Sequence, residues 1–188
     1  PEYLIVGLGN PGRQYELTRH NAGFLFADLL ADKHNVKINK IQFKSVTASI
    51  ELGGHKCLLM KPQTYMNLSG EAVRYWMQKE KIPLEKILVV VDDLSLPFGT
   101  LRMKGKGSDG GHNGLKNINA MLGSQNYARL RFGLGNEFHH GGQIDFVLGE
   151  WTDEEKARLQ ERIGVCCEII KSFATIGLQL TMTNFNNK

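Results

Sequence analysis

Apolar residues recur along this chain in two ways, as short continuous or alternating runs and as stripes at helical spacing, and their order predicts an α/β fold. Tyr3 to Leu8 reads as a buried strand, and Ala22 to His34 as a helix with Leu25, Phe26, Leu29 and Leu30 on one stripe. Ser45 to Leu52 alternates, Gly53-Gly54 turns, and Lys56 to Met60 returns, which is a hairpin pattern. Asn67 or Ser69 opens a helix that runs to Lys79, and Pro83 punctuates its exit. Ile87 to Val91 is uninterrupted and aliphatic, the strand type that parallel sheets bury on both faces, and it ends at Asp92-Asp93. After the turn Leu96-Pro97-Phe98-Gly99 come a short basic strand, a glycine-rich stretch from Gly105 to Gly114, a helix from Leu115 to Leu122 and a strand from Arg129 to Leu134. Thr152-Asp153-Glu154-Glu155 is a capping box, and Leu159, Ile163, Cys166, Ile170 and Phe173 form the stripe of the helix behind it. The pattern predicts one α/β domain over residues 1–188, with a twisted mixed sheet, parallel at its centre and covered by helices.

The longest aliphatic run, Ile87 to Val91, is far shorter than the roughly 20 residues of a membrane helix. No basic segment followed by an apolar run opens the sequence, so a cytoplasmic protein with no membrane association is expected. Cys57 and the adjacent Cys166-Cys167 lack zinc or redox-motif spacing and read as free thiols. The net charge of +4 is concentrated between Arg102 and Arg131, where Arg102, Lys104, Lys106, Lys116, Arg129 and Arg131 face only Asp109. Such a patch suits a phosphate backbone, although a solvated face would look the same by charge alone.

Two polar clusters follow the first strand, Gly7-Leu8-Gly9-Asn10-Pro11-Gly12 and Thr18-Arg19-His20-Asn21-Ala22-Gly23. The first matches the dinucleotide fingerprint G-x-G-x-x-G, but that motif requires a helix to begin within the glycine turn. Here Pro11 and Arg13-Gln14-Tyr15-Glu16 intervene, helical spacing starts only near Ala22, and the ribose-binding acid about twenty residues on is missing. A nucleophile elbow, a P-loop and an H-E-x-x-H motif are all absent. His139-His140 has no further spaced ligands and reads as a loop pair, so no metal site is expected.

What remains is a histidine, acids at a strand end and asparagines in turns, namely His20, Asp92-Asp93, Asn10, Asn21, Asn67 and Asn113. A neutral imidazole can take a proton from water while a carboxylate fixes its tautomer, and amides can hold water, a carbonyl or a hydroxyl without titrating. Each residue also has a structural reading: Asn10 could support the turn before Pro11, and Asn67 and Asn113 could open helices.

Four blocks together resemble the bacterial peptidyl-tRNA hydrolase family: Val6 to Gly12 with Tyr15 and Thr18 to Gly23; Lys61 to Gly70; Asp92 to Gly99; and Gly107 to Leu115. The resemblance runs from Tyr3 to Phe185 and implies cleavage of the ester between a peptide and the 3′ ribose of tRNA, with no cofactor. By position it implies that His20 is the general base, that Asp92 supports it, and that Asn10 senses the acylated amino group. It places Tyr15, Tyr65, Asn67 and Asn113 at the 3′ end and peptide backbone, and Lys104 and Arg131 on phosphates of the acceptor stem. It also implies a monomer. Ser95 stands where the family commonly has a second acid, and Asp109 lies within a basic loop. Plastid members of the family that serve RNA splicing without hydrolysis make a noncatalytic RNA-binding relative the alternative. Strand alternation puts Asp92 and Asp93 on opposite faces, and the alignment assigns Asp92 to His20.

Overall fold

The computed structural model describes residues 1–138 and 141–186, so His139-His140 lies outside the described residues. The strands are β1 (Tyr3–Gly7), β2 (Lys40–Ile41), β3 (Ser45–Leu52), β4 (His55–Pro62), β5 (Ile87–Asp93), β6 (Leu101–Lys104) and β7 (Ala128–Gly133). They form a single sheet in the order β2-β3-β4-β1-β5-β7-β6. At its centre β1 runs parallel to both neighbours, with Ile5 opposite Leu59 of β4 and Leu88 of β5, and β7 extends the parallel set. The pairs β2 with β3, β3 with β4 and β6 with β7 are antiparallel, so the sheet is mixed with a parallel centre as the pattern predicts.

The helices are α1 (Ala22–Lys33), α2 (Ser69–Lys79), α3 (Asn113–Leu122), α4 (Gln143–Val147), α5 (Asp153–Ile176) and α6 (Leu178–Phe185). Strand alternation sorts the core into two layers. Ile5, Leu88, Val90, Leu130 and Phe132 pack with Phe26 and Leu30 of α1 and with Ile170 and Phe173 of α5. Leu4, Val6, Val89 and Val91 pack on the other face with Val73 and Trp76 of α2 and Leu115 and Ile118 of α3. The capping box forms as expected: Thr152 Oγ1 accepts from the Glu155 backbone N–H at 3.1 Å, and Glu155 Oε1 accepts from that of Thr152 at 2.8 Å.

Three elements lack a clear signal in the sequence. β2 and α4 are too short to show a period, and α6 is separated from α5 only by Gly177, whose φ of 86° breaks the helix. At the end of α6, Asn186 donates to the Met103 carbonyl and accepts from its N–H, pairing side-chain amide to backbone on edge strand β6. α3 begins at Asn113, two residues before the predicted start, because His112 rather than Asn113 is its cap.

β1 leads through α1 to the β2–β4 side of the sheet, whereas β5 leads to β6 and β7 on the other. Their carboxyl ends therefore open a crevice at a topological switch point, where α/β sheets bind ligands. Close backbone approach sets the first turn of α1 on this edge. A Cβ on Gly23 would lie 2.4 Å from both the Leu8 nitrogen and the Val90 carbonyl oxygen, and one on Gly7 would lie 2.3 Å from the Gly23 oxygen. Gly23→Ala must push α1 off two strands, and we expect a loss of at least about 1–3 kcal/mol, the usual range for overpacking. Urea unfolding checks this as a lower midpoint at unchanged slope, and an unchanged midpoint would show that this contact is soft.

Candidate active site

Val90 and Asp92 share the face of β5 that carries α1, so the strand points Asp92 at the turn preceding that helix. This 3₁₀ turn, Arg19–Asn21, presents His20. His20 Nδ1–H donates to Asp92 Oδ2 at 2.7 Å, and the carboxylate is only 4% exposed. The other oxygen, Oδ1, accepts from His112 Nε2–H at 2.9 Å. The second histidine is locked by its own cap, since its Nδ1 accepts backbone N–H bonds from Gly114 and Leu115 at 3.1 and 3.3 Å. Those groups can only donate, so the His112 proton sits on Nε2 and points at Asp92. His20 is left with Nε2 unpartnered among the described residues. His112 carries no signal in the sequence beyond its place after Gly110-Gly111, because an imidazole directly before a helix is not among the usual cap residues.

Asn10 joins two further turns to this pair. Its Oδ1 accepts from the Met66 N–H at 2.7 Å, which orients the amide and leaves Nδ2 as an unpartnered donor among the described residues. Asn21, beside His20, exchanges two bonds with the Asn10 backbone, at 2.8 and 2.9 Å. Asn67 is not a helix cap but an exposed member of the 3₁₀ turn Met66–Leu68 that leads into α2. Asn113 is exposed on the first turn of α3, and Asn117 Oδ1 accepts from the Gly70 N–H at 2.7 Å, tying α3 to α2. Tyr15 and Tyr65 meet edge to face with ring centroids 6.5 Å apart, and Tyr65 is 58% exposed.

A cleft of about 440 Å³ starts at Asp92 and His112 and includes Lys104, Arg131 and Ser108 in its wall. Lys104 is exposed, whereas Arg131 donates to Asp93 Oδ2 at 2.9 Å. Ser95 holds the other Asp93 oxygen through its Oγ at 2.6 Å and its N–H at 2.8 Å. Asp109 accepts from the Gly111 N–H at 2.8 Å and so shapes the glycine turn before His112. One member of the basic segment is not a surface charge at all. Arg129 is 1% exposed and donates to the carbonyls of Gly107, Ser108, Gln125 and Tyr127, pinning the glycine-rich loop to the start of β7. Asn10 lies in a separate depression with Asn21, Phe24 and Lys61.

Burial alone would raise the Asp92 carboxyl, but the charges and hydrogen bonds of the two imidazoles hold it well below the usual carboxylate range. Burial pushes His20 down, yet the charge and hydrogen bond of Asp92 outweigh it and leave the imidazole above its ordinary value of 6.5. Among the described residues, His20, Asp92 and His112 are the one cluster with metal-ligand spacing, their donor atoms lying within 4.8 Å of one another. They do not suit a metal. An ion on His112 Nε2 would move the ring proton to Nδ1, against two backbone N–H groups, so the cluster is built to hold protons.

Fold and site together define an α/β protein that holds an imidazole on a buried carboxylate at the carboxyl edge of its sheet. The model of the family described as peptidyl-tRNA hydrolase matches residues 4–188. The chain is 59% identical to the peptidyl-tRNA hydrolase of Phocaeicola vulgatus over 187 residues, covering 100% of both, and 56% identical to that of Porphyromonas gingivalis, covering 98% of this chain and 100% of the relative. The crystal structure of peptidyl-tRNA hydrolase from Acinetobacter baumannii matches with a TM-score of 0.92 at 35% identity, covering 98% of this chain and 94% of that one. The chain belongs to the peptidyl-tRNA hydrolase family.

Because Asp92 is what raises His20, Asp92→Asn is expected to lower its midpoint. A proton NMR titration should place the wild-type His20 ring midpoint above about 6.5 and the variant's below the wild-type value. Equal midpoints would mean that the carboxylate does not control the imidazole.

Proposed function

We propose that this protein hydrolyses the ester joining a peptide, or an N-blocked aminoacyl group, to the 3′ ribose of tRNA, and so returns the tRNA for reuse. The observation that carries this reading is the His20 imidazole, held through Nδ1 by buried Asp92 and with Nε2 unpartnered among the described residues, in a member of this family. His20 Nε2 takes a proton from water as the water oxygen attacks the ester carbonyl. The imidazolium formed is stabilised by Asp92, and it returns the proton to the ribose oxygen as the ester C–O bond breaks. Free peptide acid and tRNA hydroxyl result. Residue chemistry supplies every proton movement in this sequence, and no cofactor is invoked.

Asn10 accounts for the choice of substrate. Its Nδ2 donor can bond the carbonyl that an acylated amino group carries, whereas an unblocked α-ammonium offers only donors to a donor. The exposed amides of Asn67 and Asn113 are free for ribose hydroxyls or peptide backbone, and Tyr15 and Tyr65 for stacking on the unpaired 3′ end. Lys104 and Arg131 meet acceptor-stem phosphates, which carry affinity without sequence information and suit an enzyme serving many tRNAs. A noncatalytic RNA-binding relative would have use for the basic cleft but none for the carboxylate-held imidazole. Action as a monomer in the cytoplasm belongs to the same proposal. Among the described residues no helix is long and apolar enough to cross a membrane.

Release of labelled peptide from N-blocked aminoacyl-tRNA, run beside the unblocked substrate, tests the reaction. Only the blocked substrate should be cleaved, and His20→Ala should slow release by at least about 100-fold, the lower end of general-base contributions. Wild-type turnover in His20→Ala would sink the assignment of the base, and binding without cleavage by the native enzyme would revive the RNA-binding alternative. Lys104→Ala and Arg131→Ala should each weaken tRNA binding and reduce its logarithmic salt slope by about one. A slope unchanged in both variants would remove them from the phosphate contacts.

A further inference from the structure

Arg19 precedes His20 in the same three-residue turn, yet it is anchored elsewhere. His20 is tied to β5, whereas Arg19 is tied to the segment that carries α4 and the start of α5. Arg19 is 8% exposed, with Nη2 donating to Glu155 Oε1 at 2.9 Å and Nε reaching Oε2 at 3.5 Å. Its Nη1 donates to the Phe146 carbonyl at 3.0 Å, and the guanidinium lies 4.3 Å over the Phe146 ring. The backbone joins the same contact, because the Arg19 N–H donates to the Gly149 carbonyl at 3.0 Å and Thr18 bridges to Glu150. A Cβ on Gly149 would stand 2.9 Å from Arg19 Nη1, so the segment closes fully on this side chain.

We propose that Arg19, acting with Glu155, is a positioning residue for His20, a role that rests on the hydrolase reading above. A turn of three residues with no side-chain cap has little rigidity of its own. Asp92 restrains the imidazole from one side, and Arg19 restrains the adjoining backbone from the other. Glu155 is itself fixed, since Oε1 also accepts the Thr152 N–H in the capping box, so the clamp rests on the first turn of a 24-residue helix. Phe146 extends the linkage to the cleft, because it packs on Phe138 with centroids 5.2 Å apart and Phe138 forms part of the cleft wall. A planar guanidinium can engage the carboxylate, the carbonyl and the aromatic face together. A lysine ammonium cannot reproduce this fork.

The test uses Arg19→Lys and the isosteric Glu155→Gln in the full chain, with circular dichroism and thermal melting to establish that each folds. Three quantities are compared with the native enzyme: kcat and KM on N-blocked aminoacyl-tRNA, the low-field proton resonance of the His20–Asp92 hydrogen bond, and the His20 titration midpoint. A displaced base costs turnover steeply, so kcat should fall by at least about tenfold in Arg19→Lys, with KM within about twofold. The low-field resonance should shift or broaden in both variants, and the midpoint should fall toward the ordinary histidine value as the contact with Asp92 loosens. Folded variants with native kcat, resonance and midpoint would overturn the proposal, and so would failure of both variants to fold, which would assign the pair to the fold alone. The two NMR readouts need no substrate. If the native protein cleaves nothing while the variants still move the His20 signals, the reading of function fails and the positioning role stands.

Discussion

The site depends on one buried carboxylate with two imidazole partners. Asp92 loses most of its solvent, and removal of a carboxylate from water is costly unless its charge is met by close donors. His20 and His112 supply one donor to each oxygen. Their roles differ because their other nitrogens differ. His112 Nδ1 is committed to the backbone of α3 and makes that ring a fixed donor, whereas His20 Nε2 has no partner among the described residues.

The framework delivers these groups by register and close packing more than by local preference. On β5 the alternation that places Leu88 and Val90 under α1 carries Asp92 to the same face and turns Asp93 to the face of Arg131. Glycines at positions 7 and 23 let α1 settle onto the ends of β1 and β5, which brings the preceding turn within reach of the strand. Asn10, Asn21 and Asn117 then tie the polar turns together through backbone groups. Such bonds fix geometry before a substrate arrives, which is the form of preorganisation that makes electrostatic catalysis effective.

Much of this was legible in the sequence. The hairpin, the aliphatic strand ending in two acids and the capping box of α5 are local patterns with direct physical meaning, and the structure contains them. The delayed helix after Gly12 is also real: the 3₁₀ turn Arg13–Tyr15 occupies the place where a dinucleotide site would need a helix to begin. The residues that escaped act through long-range partners. Arg129 counts as a surface charge until its burial among carbonyls is visible, and Asn113 resembles the cap of α3 until the backbone shows that cap to be His112. His112 belongs to the site only because α3 starts beside the end of β5, a fact of topology and not of spacing.

Charge completes the physical picture. With both imidazoles neutral, the Asp92 cluster carries one negative charge, which would repel a polyanion approaching its edge. Lys104 and Arg131 stand along the same cleft and offset that repulsion, although Arg131 is already shared with Asp93. In the proposed reaction His20 takes up a proton as the water attacks, so the cluster passes from negative to neutral at the moment the ester carbonyl becomes an oxyanion. In the same proposed reaction, substrate phosphates brought near His20 would favour this protonation, since a neighbouring negative charge raises the basicity of an imidazole. Under that proposal a polyanionic substrate would strengthen the base that acts on it, while the basic residues of the cleft would limit the cost of bringing it there.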